Sequence, residues 1–247
     1  MIEAAELKRI AIVPALNEAG SIAGVIAEIR AFDPGFEIVV IADGSVDRTP
    51  EVAAAHGAKI VRLPFNLGIG GAVQTGFRYA YEHGFELAVR VDGDGQHDPQ
   101  ELSVILAPVL AGEADICVGS RFALRAGEGS FRSTRTRRLG IRILAGAVSM
   151  LVRRRVTDPT SGFQALNRHA IRLFAADYPH DYPEVEATVM CFRHRLRLVE
   201  VPVRMRERAG GSSSITAVRA IYYMVKVLLA IFVGLFRRNV IPQEGTE

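Results

Sequence analysis

The sequence predicts an α/β fold, a mostly parallel sheet flanked by helices. Short apolar runs recur at Ile10–Val13, Ile38–Ile41, Lys59–Leu63 and Val89–Val91. Helical patterns of ten or more residues lie between them, and strands alternating with helices of that length imply βαβ units. Each run also ends in a polar or glycine-rich cluster. Ligands of open parallel sheets bind outside the carboxyl ends of the strands, which is where all these clusters fall.

The elements follow in order. Ile10–Val13 leads into Pro14-Ala15-Leu16-Asn17-Glu18, and Ile38–Ile41 into Ala42-Asp43-Gly44-Ser45-Val46-Asp47. Thr49 then offers an N-cap with Pro50 at the first helical position, and Gly57 is placed to end that helix. Lys59–Leu63 leads into Pro64-Phe65-Asn66-Leu67-Gly68-Ile69-Gly70-Gly71. Asp98-Pro99-Gln100-Glu101 has capping-box spacing ahead of another helix, and Asp115–Val118 is a further apolar run.

The fourth run carries the chemistry. It enters Asp92-Gly93-Asp94-Gly95-Gln96-His97, with two aspartates at i and i+2 that project from one side of extended backbone. Mg²⁺ typically takes one or two protein carboxylates and leaves its other positions to water and phosphate oxygens. Asp-x-Asp alone is also an ordinary strand exit. Its company at one sheet edge favours a nucleotide-type site.

With those motifs in view, the chain resembles the family 2 glycosyltransferases, in particular the dolichol-phosphate-mannose-synthase-like branch and its bacterial polyprenyl-phosphate relatives. The likeness rests on Pro14–Glu18, Asp43–Thr49, Asp92–His97 and Gly119-Ser120-Arg121, continued by Asp158-Pro159-Thr160-Ser161-Gly162-Phe163 and Arg208-Ala209-Gly210-Gly211-Ser212-Ser213. It covers about residues 8–214 and implies a GT-A (Rossmann-like) fold, a nucleotide-sugar donor, Mg²⁺ or Mn²⁺, and inversion at the sugar carbon. Two positions depart from the pattern. The family commonly has paired aspartates before Gly44-Ser45, and here the first is Ala42, so base recognition falls on Asp43 alone. The late motif usually carries a lysine after its serine, where this chain has Ser214.

Residue roles follow from the resemblance and from what each group can do. Metal ligands are expected at Asp92, Asp94 and Gln96, with His97 bracing the loop. The donor is expected on Pro14, Ala15, Asn17, Glu18, Asp43, Gly71, Asp92 and Gly93. Asp43 can accept from uracil or guanine, so UDP-, GDP- and dTDP-sugars all stay open. Asp94 heads the catalytic set, with Arg121 and Arg208 directed at phosphate through bidentate charge-assisted bonds. Glu184 and Glu186 complete it as general-base candidates, although glutamates at a helix start are also ordinary.

Charge points to the acceptor. The net charge is only +3, yet Arg121–Arg155 holds ten arginines against one acid, Glu128. Within it runs an apolar stretch, Leu139–Val152, broken by Arg142 and Ser149. Interleaved aromatics are few, which argues against nucleic acid. Basic residues beside an apolar stripe suit an anionic headgroup or lipid phosphate, at on the order of 1 kcal/mol each near such a surface. Arg132, Arg135, Arg137, Arg138 and Ser161 are therefore the expected acceptor contacts. A solvated helix face is the plainer reading of the arginines.

Residues 1–214 are expected to form the glycosyltransferase domain, and 215–247 an apolar helix and tail. Ile221–Phe236 is almost wholly apolar and is followed by Arg237-Arg238. A helix of its sixteen residues reaches roughly 24 Å, short of a hydrocarbon core of about 30 Å. An interfacial helix, or one docked on a small membrane protein or a second copy of the chain, fits better than a full span. Met1–Arg9 lacks the apolar core of a signal peptide, and Cys117 and Cys191 read as buried free thiols. The expected location is cytoplasmic, peripheral to the inner face of the cell membrane.

Together these readings describe an inverting, metal-dependent transferase moving sugar from a nucleotide donor to polyprenyl phosphate. Transfer to a hydroxyl of a lipid-linked or cell-surface glycan is the enzymatic alternative. A catalytically silent nucleotide-sugar-binding scaffold for a membrane partner is the non-enzymatic one.

Overall fold

The computed structural model describes residues 7–123 and 135–206, together with Lys226 and Leu229; over 135–139 it describes the backbone alone. A seven-stranded sheet runs through these residues in the order β3-β2-β1-β4-β6-β5-β7. The strands are β1 (Arg9–Ala15), β2 (Glu37–Asp43), β3 (Lys59–Leu63), β4 (Leu87–Arg90), β5 (Ile116–Ser120), β6 (Gln164–Asn167) and β7 (Leu198–Pro202). Neighbours pair in parallel except at β6, which runs antiparallel to both β4 and β5. The expected mostly parallel α/β sheet is present.

Both faces of the sheet are covered, which is why its strands read as continuous apolar runs. Alternate residues go to opposite layers, as the two-residue strand period requires. Ala11, Val13, Ile38 and Val40 pack with α1 (Ile22–Phe32) and α4 (Leu102–Leu110). Ile10, Ile12, Val39 and Ile41 pack on the other side with α3 (Gly68–Glu82), α6 (Arg168–Ala176) and α7 (Pro183–Arg193). A separate small core joins α5 (Arg135–Val152) to α7, where Leu144 and Val148 meet Val185 and Val189.

Two helix starts differ from expectation. The Thr49 hydroxyl does not cap α2 (Thr49–Ala55). It accepts the Glu18 N–H at 2.7 Å, while Asp47 Oδ1 accepts the Thr49 N–H at 3.0 Å. Asp98 accepts the Gln100 N–H at 3.0 Å, but it caps a single 3₁₀ turn, Pro99–Glu101, that precedes α4. Pro50 and Gly57 stand where their backbone preferences place them, Gly57 with φ +79° just past the end of α2.

Both cysteines are buried and unpaired, and burial raises the Cys117 thiol pKa to about 12. Among the described residues no helix is long and apolar enough to cross a membrane. The expected tail helix Ile221–Phe236 and the 214/215 boundary lie outside the described residues, apart from Lys226 and Leu229.

Candidate active site

The loops after β1, β2 and β4 are stitched to one another at the carboxyl edge of the sheet. The Asn17 N–H donates to Ser45 Oγ at 3.1 Å, and Asn17 Oδ1 accepts the Val46 N–H at 2.9 Å. Asn17 itself sits at φ 56°, a conformation that asparagine tolerates better than most residues. Ala19 N–H reaches Asp47 Oδ2 at 3.1 Å. From the same loop the Ser21 hydroxyl donates to the Gly93 carbonyl at 2.7 Å, and the Gly93 N–H returns to the Pro14 carbonyl at 3.2 Å. Pro14, Ala15, Asn17, Glu18 and the Asp92 loop are thus neighbours, and the Asn17 amide oxygen is engaged in the scaffold.

Asp43 is also engaged. It is buried at the end of β2, and its Oδ1 accepts the Leu67 N–H at 2.7 Å. Gly44 lets the β3–α3 loop cross here, because it has φ +68° and a Cβ would stand 2.5 Å from the Asn66 nitrogen. Gly71 is buried in the first turn of α3. Part of the carboxylate expected to read the base therefore holds a loop.

The aspartate pair is not on extended backbone, contrary to the expectation from spacing. Strand β4 ends at Arg90, and residues 93–95 form a turn with Gly95 at φ +76°. Both carboxylates stay partly open to solvent. Asp94 Oδ1 accepts the Gln96 N–H at 3.0 Å. His97 is buried against Phe163, with ring centroids 5.0 Å apart, and its Nδ1 accepts the Asp92 N–H at 2.9 Å. That bond assigns the ring proton to Nε2, and burial lowers the His97 pKa, so the imidazole is a neutral brace.

Behind Asp92 lies a buried cation. The Arg90 side chain is 1% exposed, with Nε 3.3 Å from Asp92 Oδ1 and Nη2 2.8 Å from Glu184 Oε1. Burial alone favours the uncharged guanidine, but the two carboxylates outweigh it and hold Arg90 protonated. Burial likewise opposes the Asp92 charge, and the neighbouring positive groups, Arg90 first among them, together outweigh it and lower the Asp92 pKa. Glu184, expected as a free base, is an ion-pair partner.

Among the described residues no three His, Cys, Asp or Glu side chains converge into a closed metal cage. What is present is an ionised, partly exposed carboxylate beside a second one on a tight turn. Hard oxygen donors in that number fit Mg²⁺ or Mn²⁺, which keep open positions for phosphate and water.

The family described as glycosyl transferase family 2 matches residues 10–174. The chain belongs to glycosyl transferase family 2. It is 29% identical over 230 residues to the polyprenol monophosphomannose synthase of Mycolicibacterium smegmatis, covering 89% of this chain and 85% of that one. It is 28% identical to the undecaprenyl-phosphate mannosyltransferase of Micrococcus luteus, covering 85% and 88%. In fold it is similar to glucosyl-3-phosphoglycerate synthase from Mycobacterium tuberculosis, crystallised with Mn²⁺, UDP-glucose and phosphoglyceric acid. The TM-score there is 0.69 at 22% identity, covering 98% of this chain and 83% of that one. The protein is a glycosyltransferase with a GT-A-like sheet.

In this glycosyltransferase Arg121 is anchored rather than open. Its Nε and Nη2 lie 2.7 Å from the two oxygens of Asp158, and Nη2 also donates to Thr160 Oγ1 at 2.7 Å. Asp158 is held in turn by Glu200, whose Oε1 accepts the Asp158 N–H at 2.9 Å and whose Oε2 accepts the Thr157 N–H at 2.7 Å. Ser161, expected to touch the acceptor, is buried and donates to the Gly119 carbonyl at 2.6 Å. It braces the β5 end of the loop instead.

The remaining expected residues divide by position. Glu186 lies on α7, half-buried, two residues beyond Glu184. Arg135, Arg137 and Arg138 lie in the first turn of α5. Arg132 and Arg208 are outside the described residues. Arg206, two residues before Arg208, donates its N–H to the Gln96 carbonyl at 2.9 Å, and its guanidinium pairs with Glu28 and Asp98 at 2.7 and 2.8 Å. The chain approaching the late motif is therefore pinned beside the Asp94–Gln96 turn.

Arg90 and Glu200 were missed by sequence reasoning, although each left a signal. Arg90 is a lone charge inside Leu87–Val91, and Glu200 one inside Leu198–Val201. A charge within a strand that is otherwise buried, as β4 is, must be paired; β7 is only half-buried, so Glu200 is the weaker signal.

Proposed function

We propose that this enzyme is an inverting, metal-dependent glycosyltransferase that moves a sugar from a nucleotide-sugar donor to polyprenyl phosphate at the cytosolic face of the membrane. The observation that carries the acceptor class is the pair of relatives matched over nearly their whole length and named for polyprenol monophosphomannose synthesis and undecaprenyl-phosphate mannosyl transfer. The site supports it. A sugar hydroxyl must lose a proton as it attacks, which calls for a positioned base. A lipid phosphate is already anionic and needs only cations to hold it, and the Glu184 carboxylate is committed to Arg90.

The donor diphosphate lies, in this reading, over the turn bearing Asp92 and Asp94, with Gln96 orienting Asp94 through its N–H. A bound Mg²⁺ or Mn²⁺ supplies Lewis-acid neutralisation of the charge developing on the departing nucleoside diphosphate. Arg90 keeps Asp92 ionised, and His97 fixes the backbone beneath it. The β1 and β2 loops hold the nucleoside. The arginine-rich start of α5 receives the acceptor phosphate, and the apolar tail keeps the enzyme at the membrane surface.

Kinetics separate this from glycan extension. Replacing Arg135, Arg137 and Arg138 by Gln is expected to raise the apparent KM for polyprenyl phosphate about tenfold at low salt. The ratio of variant to wild-type KM is expected to shrink as salt rises, because charge attraction is screened over about 10 Å at 0.1 M. An unchanged KM at low salt contradicts a phosphate-directed role.

A further inference from the structure

The Arg90 pair links two parts of the molecule that serve different substrates in the proposed reaction. On one side, Arg90 Nε reaches Asp92, in the turn assigned to the donor. On the other, Nη2 holds Glu184, in the first turn of α7. Helix α7 carries Val185 and Val189, which pack against Leu144 and Val148 of α5, the helix that begins with the acceptor-side arginines. The guanidinium lies in a slot cleared by Gly162, where an added Cβ would stand 2.7 Å from Nη2. A planar fork is suited to gripping two carboxylates at once from a fixed position.

We propose that Arg90 is a positioning residue. Through Glu184 it fixes α7, and with it α5, against the Asp92 turn, so the Glu184 carboxylate serves as an anchor and not as a base. This rests on the reading that the donor binds at the Asp92 turn and the lipid phosphate at α5. Glu184 touches Arg90 through Oε1, and glutamine keeps an oxygen at that place. An anchor therefore tolerates Glu184→Gln far better than Glu184→Ala, whereas a base tolerates neither.

The test uses the full chain with nucleotide-sugar, Mn²⁺ and polyprenyl phosphate. Glu184→Gln is expected to stay within about tenfold of wild type in kcat/KM for the lipid. Glu184→Ala is expected to fall at least tenfold below Glu184→Gln, mainly through a higher lipid KM. Arg90→Lys, which keeps the charge but loses the fork, is expected to follow Glu184→Ala, and the double variant to fall no further than the worse single one. Equal, kcat-dominated losses in Glu184→Gln and Glu184→Ala overturn the anchor in favour of a base. Equal activity of Glu184→Gln and Glu184→Ala near the wild-type level also overturns it. If wild type transfers no sugar to any lipid phosphate, the functional reading fails, and amide hydrogen exchange judges the anchor alone. Faster exchange across Pro183–Arg193 in Glu184→Ala than in Glu184→Gln supports it, and equal exchange contradicts it.

Discussion

Asp94→Asn is expected to abolish sugar transfer while leaving the fold intact. The side chain is partly exposed on a turn, and the Gln96 N–H that it accepts can be accepted equally by an amide oxygen. What the substitution removes is a full negative charge beside Asp92, where the ion that neutralises the leaving diphosphate would sit. An amide is a far poorer ligand for a hard divalent cation than a carboxylate. Residual transfer above about a tenth of wild type, a barrier change of only about 1.4 kcal/mol, contradicts the metal role. Matching thermal unfolding of variant and wild type verifies that the loss is chemical.

Asp158→Ala is expected to act on stability instead. Asp158 is buried and takes both fork nitrogens of Arg121, whose own side chain is only 8% exposed. Burial favours the uncharged form of Arg121, but the hydrogen bonds it donates to Asp158, together with the charges of Asp158, Glu184 and Asp92, prevail and raise its pKa. Removing the carboxylate strands that cation, while the backbone N–H that Asp158 gives to Glu200 is kept by alanine. Breaking one side of a buried ion pair costs about 3–5 kcal/mol. Urea unfolding should show a loss of that order, with a drop below about 1 kcal/mol contradicting the account. Replacing both members, as Arg121→Met with Asp158→Leu, is expected to recover much of the stability, since an apolar pair leaves no unpaired charge.

The parallel half of the fold was legible because strands buried on both faces must be apolar throughout, as β1 and β2 are. Their polar exits then marked the sheet edge that carries the candidate site. Strand β6 was not legible. Gln164-Ala165-Leu166-Asn167 has no apolar run, and its antiparallel insertion between β4 and β5 is decided by tertiary pairing. The roles of individual polar groups were the least legible part. Glu184 meets Arg90 across 94 positions of sequence, and Asp158 meets Arg121 across 37, so no local pattern names either partner. For the same reason Ser161 and part of Asp43 proved to be structural. Their motifs place them on loops at the sheet edge, while the contact each oxygen makes depends on which distant backbone N–H or carbonyl arrives beside it.

The most direct test of the central claim is product identification. The enzyme is incubated with Mg²⁺ or Mn²⁺, polyprenyl phosphate and a panel of UDP-, GDP- and dTDP-sugars, with the Asp94→Asn protein as control, and the lipid fraction is analysed by mass spectrometry. The account predicts one sugar joined to the lipid through its phosphate, with the anomeric configuration inverted relative to the donor and no product from the control. Sugar found only on a hydroxyl acceptor, with polyprenyl phosphate left unmodified, would contradict it.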